Sequence, residues 1–293
     1  MDHVQSLHHD DVSRVKQLIS LTKPGIIFGN VVTLCGGYFL EADGLFSWLS
    51  FLSVLFGMAF VIACGCVLNN YIDRDIDKLM SRTQKRPSAC GLISLKFALS
   101  YAFILGVLGF LFLYIGTNLL TMLVAAIGLF TYVVAYTLWF KRSSTFGTIV
   151  GAISGAVPPV IGYTAVVNQF NEVAVVLFLI LFCWQMPHFF AIAIYRKGDY
   201  KAANIPVLPL KRSMRYTKMN MMVFIVLYVA ATLALSAVAN THLLYLASAL
   251  IMGLVWLILG VQGFYTEDTV KWARKVFIYS IINITILSIM MMV

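Results

Sequence analysis

Three oxygen-bearing side chains, Asn69, Asp73 and Asp77, recur every four residues within NNYIDRDIDK. In a helix they share one face and present oxygen ligands to a common point, while Asp75 points elsewhere. Carboxylates with an amide oxygen suit a hard cation such as Mg2+, which keeps several waters and is usually completed by substrate phosphate oxygens. Arg82, Lys85 and Arg86 follow closely and are suited to neutralising that phosphate, arginine by paired hydrogen bonds. Together these residues describe a metal–diphosphate site. The same charges also fit a solvated loop beside a membrane, and a short motif alone does not choose between the two.

A second polar series follows in WQMPHFF and the residues after it. Gln185, His188, Tyr195 and Asp199 are separated by 3, 7 and 4 positions, which on one helix forms a stripe about 21 Å long. Polar groups on an otherwise apolar helix normally face a bundle interior or a water-filled cavity. Pro187 is expected to kink this helix and free a carbonyl. His188 reads either as an interhelical hydrogen-bonding group or as a substrate contact. Tyr136, Lys141 and Arg142 close an earlier apolar run, where the two basic residues fit a topology signal or a phosphate clamp. Lys23 and Asn30 fit a snorkelling lysine and a helix-pairing amide as readily as a site.

The elements that must position these groups are legible from composition. Of 293 residues, 61% are hydrophobic and 11% charged, less than half the roughly 25% charge of an ordinary soluble domain. Stretches near the length of about 20 residues needed to cross a bilayer recur at 20–40, 47–69, 94–115, 118–140, 147–167, 173–195, 217–238, 242–264 and 272–292. Their continuity predicts helices rather than barrel strands with two-residue alternation. The expected fold is all-α, a polytopic membrane protein with nine transmembrane helices in one domain, 1–293, after a short tail at 1–19. The stretch 147–167, with Gly147, Gly151, Gly155, Pro158, Pro159 and Gly162, is the least regular and is expected inside the bundle.

A net charge of +9 raises the idea of a nucleic-acid binder, but the distribution of that charge excludes it. Numbering the loops alternately puts every Lys and Arg on one side, from Arg14, Lys16 and Lys23 through Lys271, Arg274 and Lys275. The positive-inside rule then places the N-terminus in the cytoplasm and the C-terminus outside. The N-terminal residues lack the apolar run and small-residue cleavage pattern of a signal peptide. Cys35, Cys64, Cys66, Cys90 and Cys183 have no CxxC or CxxCH spacing and read as small buried hydrophobes.

With those residues in hand, the sequence resembles the heme-farnesylating branch of the UbiA prenyltransferase superfamily. The phrases that carry the likeness are LTKPGIIFGN at 21–30, NNYIDRDID at 69–77, YTLWFKR at 136–142, SGAVPPVIGY at 154–163, WQMPHF at 184–189 and DYKAANIPVLP at 199–209. Asn69, Asp73 and Asp77 match the first aspartate-rich motif of that superfamily. Tyr195 and Asp199 stand where the second has DxxxD, a departure that leaves one carboxylate fewer. The resemblance implies transfer of a farnesyl group from farnesyl diphosphate to a vinyl group of heme B, with water added. It further implies Mg2+ on Asp73, Asp77 and Asp199 with Asn69 assisting, and the leaving diphosphate on Arg82, Arg86, Lys141, Arg142 and Lys201. Heme contacts fall to His188, Gln185 and Tyr195. A bacterial inner membrane, lipid surroundings, and a heme A synthase or terminal oxidase as partner are implied in the same way. Rival expectations are an aromatic-acid prenyltransferase, a transporter and a non-enzymatic heme chaperone.

Overall fold

The computed structural model describes residues 14–293, so residues 1–13 of the expected tail lie outside it. Every regular element among the described residues is helical. The first span is a bent pair, α1 (Arg14–Leu21) and α2 (Pro24–Phe39), meeting at 47°. Then come α3 (Trp48–Ile72), the single turn α4 (Arg74–Asp77), α5 (Leu95–Gly116) and α6 (Leu119–Phe130). α6 runs on into a π-helical stretch, Thr131–Phe140, and the short α7 (Lys141–Ser143). α8 (Gly147–Gly155) and α9 (Val157–Val167) make one span divided at Ala156. α10 (Glu172–Tyr195) leads through α11 (Lys197–Ala202) and α12 (Leu208–Lys211) to α13 (Met214–Val238), α14 (Leu243–Gln262) and α15 (Thr269–Met290). Among the described residues, eight spans are long and apolar enough to cross a membrane on their own, and the bent pair, counted as one span, brings the number to nine.

Side-chain caps start most of these spans. Ser47, Ser94, Asn118, Asn171, Ser213 and Asp268 each accept a hydrogen bond from the backbone N–H three residues on. Such caps satisfy donors that a lipid environment would leave stranded. Asn118 has a second task, because its Nδ2 donates to the Thr164 carbonyl at 2.7 Å and ties α6 to α9. Asn118→Ala is therefore expected to cost about 2 kcal/mol. A thermal melt in detergent should show a larger loss for it than for Ser94→Ala, which removes only a cap.

α9 lies inside the bundle, with Val157 through Thr164 continuously buried. It crosses α2 at bare backbone: a Cβ on Gly162 would sit 2.2 Å from the Leu34 carbonyl oxygen, and one on Gly37 would sit 2.0 Å from that of Pro159. Small residues at such crossings let membrane helices approach closely. α15 packs on α2 and closes the ring of helices. Large apolar side chains such as Phe103, Tyr114 and Leu243 face outward, each more than 70% exposed, which in water would make an aggregating surface. The chain is a multi-pass membrane protein.

The structure departs from the sequence expectations at two breaks. The first span bends ahead of Pro24, which has no N–H to continue the ladder. α10 remains helical through Pro187 but stops at Tyr195, where Arg196 (φ −106°, ψ 19°) leaves helical geometry. Gln185, His188, Tyr195 and Asp199 therefore do not form a single stripe.

Candidate active site

α3 ends at Ile72, and Asp73 caps it with φ −82° and ψ 0°. The spacing of four nevertheless survives the break. The Asp73 N–H bonds the Asn69 carbonyl at 2.9 Å, and the Asp77 N–H bonds the Asp73 carbonyl at 2.8 Å. Asn69, Asp73 and Asp77 are buried together, at 3%, 1% and 1% exposure. Burying carboxylates is costly unless each finds a counter-charge, and each does. Asp73 pairs with Lys141, with Arg142 at 3.6 Å, and Asp77 pairs with Arg86 at 2.8 Å.

Asn69 links this cluster to two other elements. Its Nδ2 donates to Asp73 Oδ2 at 2.8 Å and to Thr137 Oγ1 at 3.0 Å, while its Oδ1 accepts from Lys23 Nζ. No other orientation works, since an ammonium only donates and a carboxylate only accepts. Asn69 thereby orients Asp73, and its own oxygen faces Lys23. Lys23 reaches it from the break between α1 and α2 in a left-handed conformation, φ 54°, of the kind that concentrates at functional sites. Thr137 belongs to the π-helical stretch, whose wider turn brings Tyr132 and Tyr136 into a stack with centroids 6.0 Å apart. That stretch also delivers Lys141 to Asp73.

A cavity of about 720 Å³ extends from this cluster into the bundle. Asn69, Asp77, Arg82, Arg86 and Lys141 line it at the charged end, and Tyr132, Tyr136, Tyr200, Gln185 and His188 line it elsewhere among apolar side chains such as Met58, Leu129 and Ile161. Gln185 Nε2 is spent on the carbonyls of Ala152 and Leu181, at 3.1 and 3.0 Å. Burial pushes the Tyr200 phenol up to about 12, so it stays neutral.

The sequence profile of the UbiA prenyltransferase family matches residues 30–281. The chain belongs to the UbiA prenyltransferase family. A relative from Pseudomonas putida (strain GB-1), named protoheme IX farnesyltransferase 2, is 51% identical over 277 residues, 94% of each chain. A protoheme IX farnesyltransferase from Yersinia enterocolitica is 48% identical over 279 residues, 95% of this chain and 94% of that one. Among solved structures, digeranylgeranylglyceryl phosphate synthase superposes with a TM-score of 0.79 at 20% identity, over 96% of this chain and 98% of that one. A UbiA homolog from Archaeoglobus fulgidus bound to GPP and Mg2+ gives 0.65 at 13% identity, over 94% and 100%. At these identities the superpositions carry the fold, an all-α UbiA-type bundle.

In this UbiA-family chain the second acidic position is a latch as well as a candidate ligand. Asp199 Oδ1 accepts from the Ser81 N–H at 2.9 Å and the Ser81 hydroxyl at 2.8 Å, tying α11 to the loop that carries Arg82 and Arg86. Two buried carboxylate oxygens, Asp73 Oδ1 and Asp199 Oδ2, have no hydrogen-bond partner. Unpartnered carboxylate oxygens fit a hard, oxygen-seeking cation. Among the described residues no three His, Cys, Asp or Glu side chains gather around one point. The acidic side chains alone do not make a complete metal shell.

Five of the expected residues are not on the cavity wall: Asp73 and Asp199, which sit beside it in the polar cluster, and Arg142, Lys201 and Tyr195. Lys201 is exposed, and Tyr195 packs on Phe277 between Arg196 and Arg274 because α10 ends there. Arg142 forks onto Asp75 at 2.6 and 2.7 Å. Hydrogen bonds from Arg142 hold the Asp75 carboxyl down at about 2, so the pair's contribution is full above the ordinary aspartate range and lost only as pH falls through that value. Asp75 is 62% exposed, and Asp75→Asn should change turnover by less than about threefold and leave its pH profile above pH 5 unaltered. Steady-state assays across pH check this. Ser81, Tyr132, Thr137 and Tyr200 were not foreseen from sequence: Tyr132 and Thr137 lie in an apolar run, where a hydroxyl reads as ordinary packing, and Ser81 and Tyr200 lie in polar segments, where it reads as solvated. Lys23 was legible from sequence as a weaker candidate, a lysine that fits a snorkelling role as readily as a site.

Proposed function

We propose that this chain transfers the farnesyl group of farnesyl diphosphate to a vinyl group of heme B, with addition of water, giving heme O and diphosphate. The supporting observation is a single cavity that joins a charged end, fit for a diphosphate, to an inner wall carrying Gln185 and His188. Family membership and the printed names of relatives sharing about half their residues over nearly the whole chain support the same reading.

Arg82, Arg86 and Lys141 would take up the negative charge that grows on diphosphate as the allylic C–O bond breaks. Mg2+ recruited between the diphosphate and the carboxylates of Asp73, Asp77 and Asp199, which do not converge on one point by themselves, would add Lewis-acid neutralisation of the same oxygens. Asn69, fixed by Lys23 and Thr137, keeps Asp73 aimed. The stacked rings of Tyr132 and Tyr136 line the cavity and offer their faces to the allylic cation. The terminal vinyl carbon of heme supplies the electron pair for the new C–C bond, and the cation then left beside the pyrrole takes up water and releases a proton. Apolar walls limit water at the first cation. Lys201, Arg142 and Tyr195 would act from outside the cavity wall, on charge and helix ends.

By the charge rule the basic end faces the cytoplasm of a bacterial cell, with the C-terminus across the membrane. Heme O would then pass to a heme A synthase or directly to a terminal oxidase.

Radiolabelled farnesyl diphosphate offered to the purified protein with equal heme B and 4-hydroxybenzoate tests the acceptor. The expected result is label in heme alone, and label in the aromatic acid would overturn the reading. Chelation of divalent metal should lower turnover at least about 100-fold, with recovery on adding Mg2+. Unchanged turnover in chelator would contradict the metal's part.

A further inference from the structure

His188 lies between two aromatic faces, Trp184 at a centroid distance of 4.8 Å and Phe277 of α15 at 4.9 Å. Its Nδ1 stands 2.7 Å from Ser280 Oγ. The same hydroxyl lies 2.6 Å from the Phe277 carbonyl oxygen. A hydroxyl has one proton and a carbonyl has none, so the proton must lie on the Ser280–Phe277 contact. Ser280 Oγ is then an acceptor toward the ring, and His188 Nδ1 carries the hydrogen. The neutral ring that results leaves Nε2 with a bare lone pair. Nε2 has no hydrogen-bond partner among the described residues, and His188 lines the cavity.

The surroundings choose between two uses for that lone pair. The ring's neighbours are Trp184, Phe189, Phe277 and Ser280, none of them charged. An imidazolium formed by taking a proton would have no counter-charge here. A metal bond adds no charge to the ring. Donation of the other ring N–H to an oxygen is also the usual outer-shell arrangement of a metal-bound histidine. Trp184 Nε1 donates to the Ser280 carbonyl at 2.7 Å, fixing α10 on α15 at this place. We infer that His188 Nε2 is an axial ligand to the iron of heme B, with Ser280 as the positioning residue that sets the tautomer. The inference rests on heme B as the acceptor. It gives the porphyrin a fixed centre, with rotation about the iron–nitrogen axis left to the cavity walls.

The test titrates the detergent-purified wild type with heme B and with metal-free protoporphyrin IX. Iron porphyrin is expected to bind at least about tenfold tighter, and the ferrous complex to show an iron–histidine stretch by resonance Raman. His188→Ala should bring the affinity ratio close to one and abolish the band, while Ser280→Ala should shift the band to lower frequency. Equal affinity for the two porphyrins in the wild type, which needs no variant to fold, overturns the inference. A band that persists in His188→Ala overturns it too. Heme O is measured on the same wild-type sample. Heme O formed without an iron–histidine band rejects the ligand and leaves the reaction standing, whereas a band without heme O supports the ligand and counts against the reaction.

Discussion

Replacing Asp73 with asparagine should lower product formation by about 10²–10³-fold in a protein that still folds, the scale expected when one preorganised charge is taken from a transition state. Asp73 is 1% exposed and carries one of the two buried carboxylate oxygens without a hydrogen-bond partner. It is also the counter-ion of Lys141, whose side chain is 14% exposed. Loss of activity in Asp73→Ala would therefore mix two effects, because removing one partner of a buried pair typically costs about 3–5 kcal/mol of stability. The double variant Asp73→Asn with Lys141→Met separates them. It removes both charges, so its thermal midpoint should return toward that of the wild type while its turnover stays at the floor. Recovery of activity along with stability would show that Asp73 serves the fold rather than the reaction.

Gly162→Leu is expected to destroy the bundle. The Cβ alone would lie 2.2 Å from the Leu34 carbonyl oxygen and 2.7 Å from the Tyr38 nitrogen, and both atoms are backbone that no rotamer change can move. Overpacking of this kind costs about 3 kcal/mol where neighbours can yield, and here α2 must be pushed away whole. α2 carries Lys23 at its start and lines the cavity through Asn30 and Thr33, so the displacement would reach the site. Fluorescence-detected size-exclusion of the detergent extract should show aggregation for Gly162→Leu. Gly198→Leu, where nothing lies within 4 Å of the added carbon, should elute as the wild type does.

The spans were legible in the sequence because each is a long apolar run bounded by polar loops. α3, α5, α10, α13, α14 and α15 begin or end within a few residues of where hydropathy puts them. The position of α9 inside the bundle was legible too, from glycines and prolines that only a close-packed neighbour can accommodate. The breaks were not. Tyr195 and Asp199 look like one face of one helix until Arg196 leaves helical geometry, and beyond that break Asp199 binds Ser81, more than a hundred residues away, a contact no local spacing announces. The π-helical turn at Thr131–Phe140 is equally invisible, since YTLWF satisfies an α-helical pattern. Within the site, residue types gave away the acids and bases, but not their pairing. Asn69 looks like an oxygen donor in the motif, and only the approach of Lys23 turns its oxygen aside.

The most direct measurement is mass spectrometry of the hemes extracted after the purified protein is incubated with heme B, farnesyl diphosphate and Mg2+. Heme O is expected from the wild type, none without metal, and almost none from a folded Asp73→Asn. Unchanged heme B from wild-type protein shown to be folded and able to bind farnesyl diphosphate would contradict the proposed reaction.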